Sequence, residues 1–331
     1  MAELNRVESL LVIGTGSAGC RHIVNAAAAG IADVSVFRSG MDRGPLPGHV
    51  RVETDLTSAL ARQPQAAVIA NETSLHVNYA LAAARAGCHL FIEKPLSDAF
   101  MGIDELRRVV CDQSLVAMVG YQFRFHPSLQ QIRSWLWEEA IGEIVTANVV
   151  WGEYLPGWQP WRDYRTCYSS RARLGGGVLL TLSHPIDYLR WLLGDVARVS
   201  AMTARRSGLE IDVEDTAIVH LEFESGAIAS VSLDYVQRPA QHQFTLVGTE
   251  GVIRWDNKSG LASLETNRGR SEAPVPAEYE RNDLFVAELN HFLQCTVRED
   301  EPACTLEDGE ETLRICVAAK ESARSGRRID V

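Results

Sequence analysis

Ser9-Leu10-Leu11-Val12-Ile13-Gly14-Thr15-Gly16-Ser17-Ala18-Gly19 is the stretch that decides the fold. An apolar strand runs directly into three glycines at G-x-G-x-x-G spacing, and a helical run follows. In such a turn the first glycine permits a tight bend, and the second lets the backbone approach a pyrophosphate. The third lets the helix pack on the strand, with its N-terminal N–H groups directed at the anion. An ordinary strand–helix turn is the alternative. The order of strand, turn and helix favours dinucleotide binding by Gly14, Thr15, Gly16, Ser17, Ala18 and Gly19.

The first 120 residues alternate short apolar strands with alanine-rich helical runs. Strands are predicted at Leu10–Ile13, Val34–Phe37, Val50–Val52, Ala66–Ala70, His89–Ile92 and Leu115–Val119. Helices are predicted at Ala18–Ala29, Leu75–Ala86 and Asp98–Val110, with Ser97 as the N-cap of the last. This alternation requires right-handed crossovers and a parallel sheet covered on both faces. We therefore expect an α/β protein whose domain 1–120 is a Rossmann fold, a doubly wound parallel sheet.

The sequence changes character after Gly120. His126-Pro127 opens a helix through Trp135, and one further helix is predicted at Val178–Leu193. Long β-rich segments lie at Glu143–Trp151, Val196–Ala204, Thr216–Phe223, Ala227–Val236, Gln243–Val247 and Val252–Trp255. The segment 268–280 is the most linker-like, and helices return at Leu284–Val297 and Leu306–Ser325. This order predicts a second domain, 121–331: an α+β substrate-binding and oligomerisation domain on a large, mostly antiparallel open sheet. Its final helix can pack back on the first domain.

Composition excludes several classes of protein. The net charge of −11 over 331 residues argues against nucleic acid and anionic membrane surfaces as partners, because both reward clustered Lys and Arg. No basic stretch is followed by an apolar segment of signal or membrane-spanning length, so we expect a cytoplasmic protein. Seven cysteines without a C-x-x-C pair favour thiols over disulfides or a zinc site, and we predict no metal.

Glu93-Lys94-Pro95 places a lysine at the C-terminal end of a predicted buried strand. Ligands bind at that edge in doubly wound sheets, and a lysine there can hydrogen-bond an alcohol oxygen. The alternative is a lysine that only extends from the strand end to solvent.

Four motifs in one order resemble the glucose–fructose oxidoreductase / inositol dehydrogenase / MocA (Gfo/Idh/MocA) family. They are the glycine turn, Glu93-Lys94-Pro95, the segment 120–127, and Gly175-Gly176-Gly177 followed by His184-Pro185-Ile186-Asp187. The resemblance covers the chain from Leu10 to about Ala319. It implies hydride transfer between nicotinamide C4 and a secondary alcohol carbon of a sugar-like substrate, with Lys94 and His184 as the catalytic residues at the alcohol oxygen. It also assigns residues to the cofactor, namely Asn71, Thr73, His76, Glu93 and Lys94, and residues to the substrate, namely Lys94, Arg124, Thr181 and His184.

The chain departs from the family pattern at one position. Many members carry an aspartate four residues before the histidine, where this chain has Leu180 with Thr181 adjacent. The proton route therefore differs or runs through water. Asp187 lies one helical turn after His184, where it either orients the imidazole or is a capped or solvated carboxylate.

The end of the second strand bears on the choice of cofactor. An NAD site usually offers an acid about 20 residues after the glycines, but this chain offers Arg38 and Ser39, with Arg43 close behind. Arginine and serine suit a 2′-phosphate, so the sequence favours NADP, with NAD possible. The alternative is that Arg38 stacks on the adenine, which leaves either cofactor open.

The segment Trp151–Arg165 has an unusual composition, rich in aromatic residues and arginine. Aromatic rings stack on sugar faces or a base, and arginines hold a phosphate or carboxylate, which would make Trp161, Arg162, Tyr164 and Arg165 substrate-binding residues. A contact with a neighbouring subunit would need the same residue types. Both interpretations stay open, although similar segments occur in family members that act on nucleotide-linked or acidic sugars.

We therefore expect an NADP-preferring dehydrogenase of a sugar, sugar phosphate or nucleotide sugar. In a monomer, one face of a large open sheet would be exposed to water, so we also expect a homodimer or homotetramer. One alternative is an enzyme that uses a tightly bound nicotinamide transiently, for epimerisation, elimination or glycoside cleavage. Another is a non-catalytic dinucleotide-binding sensor.

Overall fold

The computed structural model describes residues 7–39, 46, 50–298 and 300–331. These residues divide into two compact units. The first holds the described residues up to Gln122 together with Glu280–Glu310. The second holds Phe123–Tyr279 and Glu311–Val331.

The first unit contains a six-stranded, entirely parallel sheet in the order β3-β2-β1-β4-β5-β6. Its strands are β1 (Ser9–Ile13), β2 (Asp33–Phe37), β3 (Arg51–Glu53), β4 (Ala66–Ile69), β5 (His89–Glu93) and β6 (Ala117–Gly120). Its helices are α1 (Ser17–Ala28), α2 (Leu56–Leu60), α3 (His76–Arg85), α4 (Ile103–Asp112) and α8 (Arg281–Arg298). The strand order reverses between β1 and β4, and ligands bind at the carboxyl edge of such a switch point. The Rossmann prediction is confirmed.

The second unit contains a nine-stranded sheet in the order β14-β13-β12-β11-β7-β10-β9-β8-β15. Its strands are β7 (Ile144–Gly152), β8 (Val196–Ala204), β9 (Thr216–Phe223), β10 (Ile228–Asp234), β11 (Gln241–Gly248), β12 (Gly251–Asp256), β13 (Leu261–Thr266), β14 (Gly269–Ala273) and β15 (Ile329–Asp330). Adjacent strands are antiparallel except β7 and β10. The unit also holds α5 (Pro127–Trp137), α6 (Val178–Thr181) and α7 (His184–Leu193), and α9 (Leu306–Ser325) begins in the first unit and ends in the second. The predicted open, mostly antiparallel sheet is confirmed.

Three local predictions were wrong. The helix predicted over Val178–Leu193 is two helices, because Pro185 lacks the N–H that a continuous helix requires there. The helix predicted from Asp98 begins at Ile103, because Gly102 before it has a left-handed φ of +84°. The segment 268–280, predicted as a linker, contains strand β14, which pairs with β13 at the edge of the sheet. Its sequence is polar because the strand is exposed, so it lacks the apolar pattern by which a strand is predicted.

Candidate active site

The glycine turn leaves a gap where its second glycine lies. Gly14 has a φ of +102°, and a Cβ there would stand 2.6 Å from the carbonyl oxygen of Ala70. A Cβ on Gly19 would collide with the carbonyl oxygen of Gly14. A Cβ on Gly16, by contrast, would have no atom within 4 Å. The first and third glycines are thus required by packing, whereas the second borders open space.

Groups around this gap fit a bound dinucleotide. Gly16 is the N-cap of α1 and offers no side-chain cap, and the first turn carries no acidic residue. The leading N–H groups of a helix have no intrahelical acceptors, so they attract an anion. The buried atoms Thr15 Oγ1 and Asn71 Oδ1 have no hydrogen-bond partner among the residues that the structure describes. A ligand with hydroxyl, amide and phosphate groups would satisfy them.

Arg38 and Ser39 follow β2 directly. Burial raises the pKa of the Cys20 thiol on α1, and the charge of Arg38 opposes that rise, so the guanidinium lies near the start of the helix. The Arg38 N–H donates to the carbonyl of Glu53 at 3.1 Å. Glu53, the last residue of β3, is therefore an acidic residue next to Arg38. Sequence spacing did not predict it. Arg43 lies outside the described residues.

Lys94 follows β5 at the carboxyl edge of the sheet and is half-buried. The carboxylate of Glu93 accepts a hydrogen bond from His22 of α1 at 2.8 Å. Burial raises the pKa of Glu93, but the His22 hydrogen bond and the charges of His22, Lys94 and His76 together lower it below its usual value. Glu93 is therefore an anion held inside the first unit, and its predicted contact with a cofactor stays a prediction.

His76 joins the exits of two strands. Its Nδ1 donates to the carbonyl of Pro95 at 2.9 Å, and its Nε2 lies 3.2 Å from the carbonyl of Asn71. Burial lowers the pKa of His76 and outweighs these carbonyls, which favour the protonated ring. Both ring nitrogens face backbone, so His76 braces the loops after β4 and β5. Thr73 is buried in the short turn between β4 and α3.

In the second unit, His184 is the first residue of α7 and is 2% exposed. The edge of its ring meets Phe123 at 4.9 Å between centroids, and Trp151 lies 5.6 Å away. The glycine segment before it is tight, because a Cβ on Gly177, whose φ is +106°, would collide with the Glu214 carboxylate. These contacts fix the position of the imidazole.

The position of the family's missing aspartate is apolar. Leu180 is 1% exposed, and the neighbouring Thr181 hydrogen-bonds the hydroxyl of Tyr235, whose pKa is raised mainly by burial. Glu214 accepts the N–H of Leu179 at 3.2 Å, so a carboxylate from another segment lies beside this helix. Sequence spacing could not reveal Glu214, because it is 35 residues away along the chain.

Arg124 and Asp187 form a buried, two-pronged ion pair. The Nε and Nη2 atoms of Arg124 donate to the carboxylate of Asp187 at distances from 2.7 to 3.2 Å. Both side chains are nearly inaccessible, at 3% and 1% exposure. The suggestion that Asp187 is capped or solvated was wrong, because this arginine binds it in the interior. We infer that Arg124 anchors α7, and its predicted contact with substrate stays a prediction.

The aromatic and arginine-rich segment is mostly exposed over residues 160–165, and acidic side chains partly neutralise its charge there. Arg165 donates to Asp163 at 2.9 Å and to Glu210 at 3.2 Å. The hydroxyl of Tyr164 accepts the N–H of Glu210 at 3.2 Å. Trp161 is 79% exposed, and Arg162 lies close enough to Cys167 to lower the pKa of that thiol against the effect of burial. Both interpretations of this segment stay open.

His242 belongs to the surroundings of His184 and was missed by the sequence analysis. It stacks on Trp151 at 4.1 Å with an interplanar angle of 3°, and its Nε2 lies 3.3 Å from the Tyr188 hydroxyl. Burial lowers its pKa to about 3. No sequence motif predicts His242, because only the pairing of β11 with β7 brings it next to Trp151.

Within the part of the chain that the structure describes, no group of three or more histidine, cysteine or acidic side chains could hold a metal ion. Among the same residues, no helix is long and apolar enough to cross a membrane.

Two family models match the chain, one for each half. The model described as "Oxidoreductase family, NAD-binding Rossmann fold" matches residues 9–121. The model described as "Oxidoreductase family, C-terminal alpha/beta domain" matches residues 133–331. Both carry the name Gfo/Idh/MocA.

Individual relatives agree with these matches. The chain is 28% identical over 278 residues to 1,5-anhydro-D-fructose reductase of Ensifer adhaerens, covering 80% of this chain and 79% of the relative. It is 25% identical over 276 residues to myo-inositol 2-dehydrogenase of Thermotoga maritima, with coverages of 80% and 79%. A solved levoglucosan dehydrogenase in complex with NADH superposes with a TM-score of 0.86 at 22% identity, covering 97% of this chain and 98% of that one. That structure shows a shared fold.

Proposed function

Because this chain belongs to the Gfo/Idh/MocA oxidoreductase family, we propose that it is an NAD(P)-dependent dehydrogenase of a sugar, sugar phosphate or nucleotide sugar. The observation that carries the proposal is the gap at Gly16, bordered by the start of α1 and by the unsatisfied atoms of Thr15 and Asn71. The names of the relatives, an anhydrosugar reductase and an inositol dehydrogenase, support a polyhydroxylated substrate.

We propose separate tasks for the two candidate catalytic residues. A bound nicotinamide supplies the hydride acceptor or donor. Lys94 hydrogen-bonds the reacting oxygen from the end of β5, where ligands of doubly wound sheets bind. His184 accepts the proton when the alcohol is oxidised and returns it in the reverse direction, because an imidazole exchanges protons near neutral pH.

A panel of sugars and polyols tests this function. The purified protein is incubated with each compound and oxidised cofactor, and the nicotinamide absorbance is followed. Lys94→Ala should lower kcat by roughly two to four orders of magnitude with little change in cofactor affinity. Lys258→Ala, at an exposed lysine of the other unit, is the matched control. Turnover without net absorbance change would support transient use of the nicotinamide, and no turnover with any compound would support a sensor.

We further propose a preference for NADP. The positive charge of Arg38 near the start of α1, together with the hydroxyl of Ser39, would bind a 2′-phosphate that an acid at this position would repel. Binding of NADPH and NADH is compared by fluorescence titration, and Arg38→Asp should reverse the order of affinity. Equal or tighter binding of NADH by the parent protein would contradict the preference.

A further inference from the structure

A buried histidine–carboxylate pair links the helix of the glycine turn to the strand that ends before Lys94. The imidazole of His22, on α1, lies 2.8 Å from the carboxylate of Glu93, and the two side chains are 0% and 12% exposed. Glu93 is the last residue of β5. The hydrogen bond therefore ties α1, whose start borders the cofactor gap, to the main chain one residue before Lys94.

The surroundings of His22 fix its role as a hydrogen-bond donor. A carboxylate accepts, so the proton of the pair lies on Nε2. The other nitrogen, Nδ1, is buried and has no hydrogen-bond partner among the described residues, so a second proton there would be an unsatisfied donor. The ring also meets Phe91 edge-on at 4.8 Å between centroids. The hydrogen bond to Glu93 and the contact with Phe91 together hold the ring in one orientation.

The carboxylate that His22 holds is surrounded by basic groups. Glu93 interacts electrostatically with His22, Lys94 and His76, and its charge also raises the pKa of Arg21 against the larger, lowering effect of burial. Arg21 is engaged elsewhere as well, since its guanidinium lies 4.0 Å from the ring centre of Phe285. A buried carboxylate is costly without fixed hydrogen bonds. Loss of the His22 donor would therefore displace Glu93, and with it the backbone that carries Lys94.

We propose that His22 is a positioning residue for Lys94, acting through Glu93. By holding the Glu93 carboxylate against α1, it fixes the exit of β5 from which Lys94 reaches the reacting oxygen. The inference rests on the role of Lys94 in the proposed function. It also connects the helix that receives the cofactor to the residue that faces the substrate.

The test uses the scarcity of lysine in this chain, which contains only Lys94, Lys258 and Lys320. The rate at which each lysine is acetylated by a small reagent is measured by mass spectrometry, with Lys258 and Lys320 as internal references. His22→Phe keeps a ring but loses the donor, so we expect Lys94 to lose its fixed position and react several-fold faster relative to the references. His22→Gln restores a donor near the position of Nε2, so it should return Lys94 to the parental rate. Should His22→Phe fail to fold, His22→Asn replaces it, because its shorter amide does not reach the carboxylate.

A double-variant comparison shows whether Glu93 is the intermediary. In a Glu93→Ala background, His22→Phe should change the reactivity of Lys94 no further. For turnover, His22→Phe should lower kcat roughly 10- to 100-fold, the loss expected when a catalytic group is misplaced, with the Kd of NADPH unchanged.

Three results would overturn the proposal: unchanged Lys94 reactivity in a folded His22→Phe, failure of His22→Gln to restore it, or an equal effect of His22→Phe in the Glu93→Ala background. Acetylation needs neither substrate nor cofactor. A protein that oxidises no polyol would therefore refute the proposed function, whereas the acetylation rates would still decide this inference.

Discussion

His184 is the single residue on which the proposed route of the proton depends. His184→Asn keeps a polar side chain at the start of α7, so the fold and cofactor binding should persist. The kcat/KM profile for alcohol oxidation should lose its acid-side inflection, because that inflection reports the ionisation of the free enzyme's base. The profile is measured over a range of pH with saturating cofactor. His220→Asn, at an exposed histidine of β9, is the control. An undiminished rate with an unchanged profile would place the base elsewhere.

Single residues also show how far the sequence could predict the candidate site. The glycines and Lys94 were predictable, because each belongs to a local motif whose spacing has a physical cause. The long-range contacts that position the site residues were not predictable. Arg124 reaches Asp187 across 63 positions, and His22 reaches Glu93 across 71. Such contacts arise only when separate elements pack, and neither spacing nor periodicity encodes which side chains then meet.

At the level of elements, the glycines of the turn have two different roles. Gly14 and Gly19 are required by packing, whereas Gly16 leaves room for a ligand. Gly19→Ala should lower the free energy of unfolding by several kcal/mol, since its Cβ meets the Gly14 carbonyl and α1 must move off β1. Gly16→Ala places the same methyl group in open space, so it should cost at most about 1 kcal/mol, as an unfavourable N-cap. Gly16→Ala should instead weaken NADPH binding by an order of magnitude or more, because the methyl group occupies the approach to the pyrophosphate.

Urea unfolding and fluorescence titration measure the two quantities on the same samples. The two variants serve as controls for each other, because each introduces one methyl group within the same turn. Equal losses of stability in both, or full NADPH affinity in Gly16→Ala, would contradict this division of roles.

The pairing of β11 with β7 buries His242, so we expect the free energy of unfolding to depend on pH. Burial lowers the pKa of His242 to about 3, whereas an unfolded histidine titrates at about 6.5. Between these values the unfolded chain binds the proton and the folded chain does not, so stability is complete above pH 6.5 and falls as the pH drops. The loss from this one residue is about 1.4 kcal/mol per pH unit.

Urea unfolding at pH 7, 5.5 and 4.5 tests this dependence. The double variant His242→Phe/Tyr188→Phe removes the titrating ring together with the hydroxyl that contacts it, so its stability should fall less steeply on acidification. His220→Asn, at a histidine that is not in contact with His242, should keep the parental slope. An identical slope in the double variant would mean that His242 is not the group that titrates.

On the scale of the whole molecule, one face of the nine-stranded sheet, called here the open face, carries exposed apolar side chains on β8, β9 and β10. Among the helices, α5 contacts β13, α6 contacts β9 and β10, and α7 contacts β7. The open face exposes the apolar side chains Met202, Ile218 and Ile228, at 75%, 41% and 55%. Met202 lies directly opposite Ile218 in the pairing of β8 with β9. Near one edge, Arg198 and Arg328 share the carboxylate of Glu222, so this face carries both charge signs. An apolar centre with a charged rim is typical of protein–protein interfaces.

We expect the predicted homo-oligomer to form through this face, with Ile218 of one copy in contact with its partner. Light scattering coupled to gel filtration should give the parent protein a molar mass that is a multiple of 36.5 kDa. Ile218→Lys places a charge among apolar side chains that association would bury, so it should shift the mass towards that of the monomer. Met101→Lys is the matched control, since Met101 is 88% exposed but belongs to the first unit. A monomeric parent, or equal dissociation of both variants, would show that this sheet face does not join subunits.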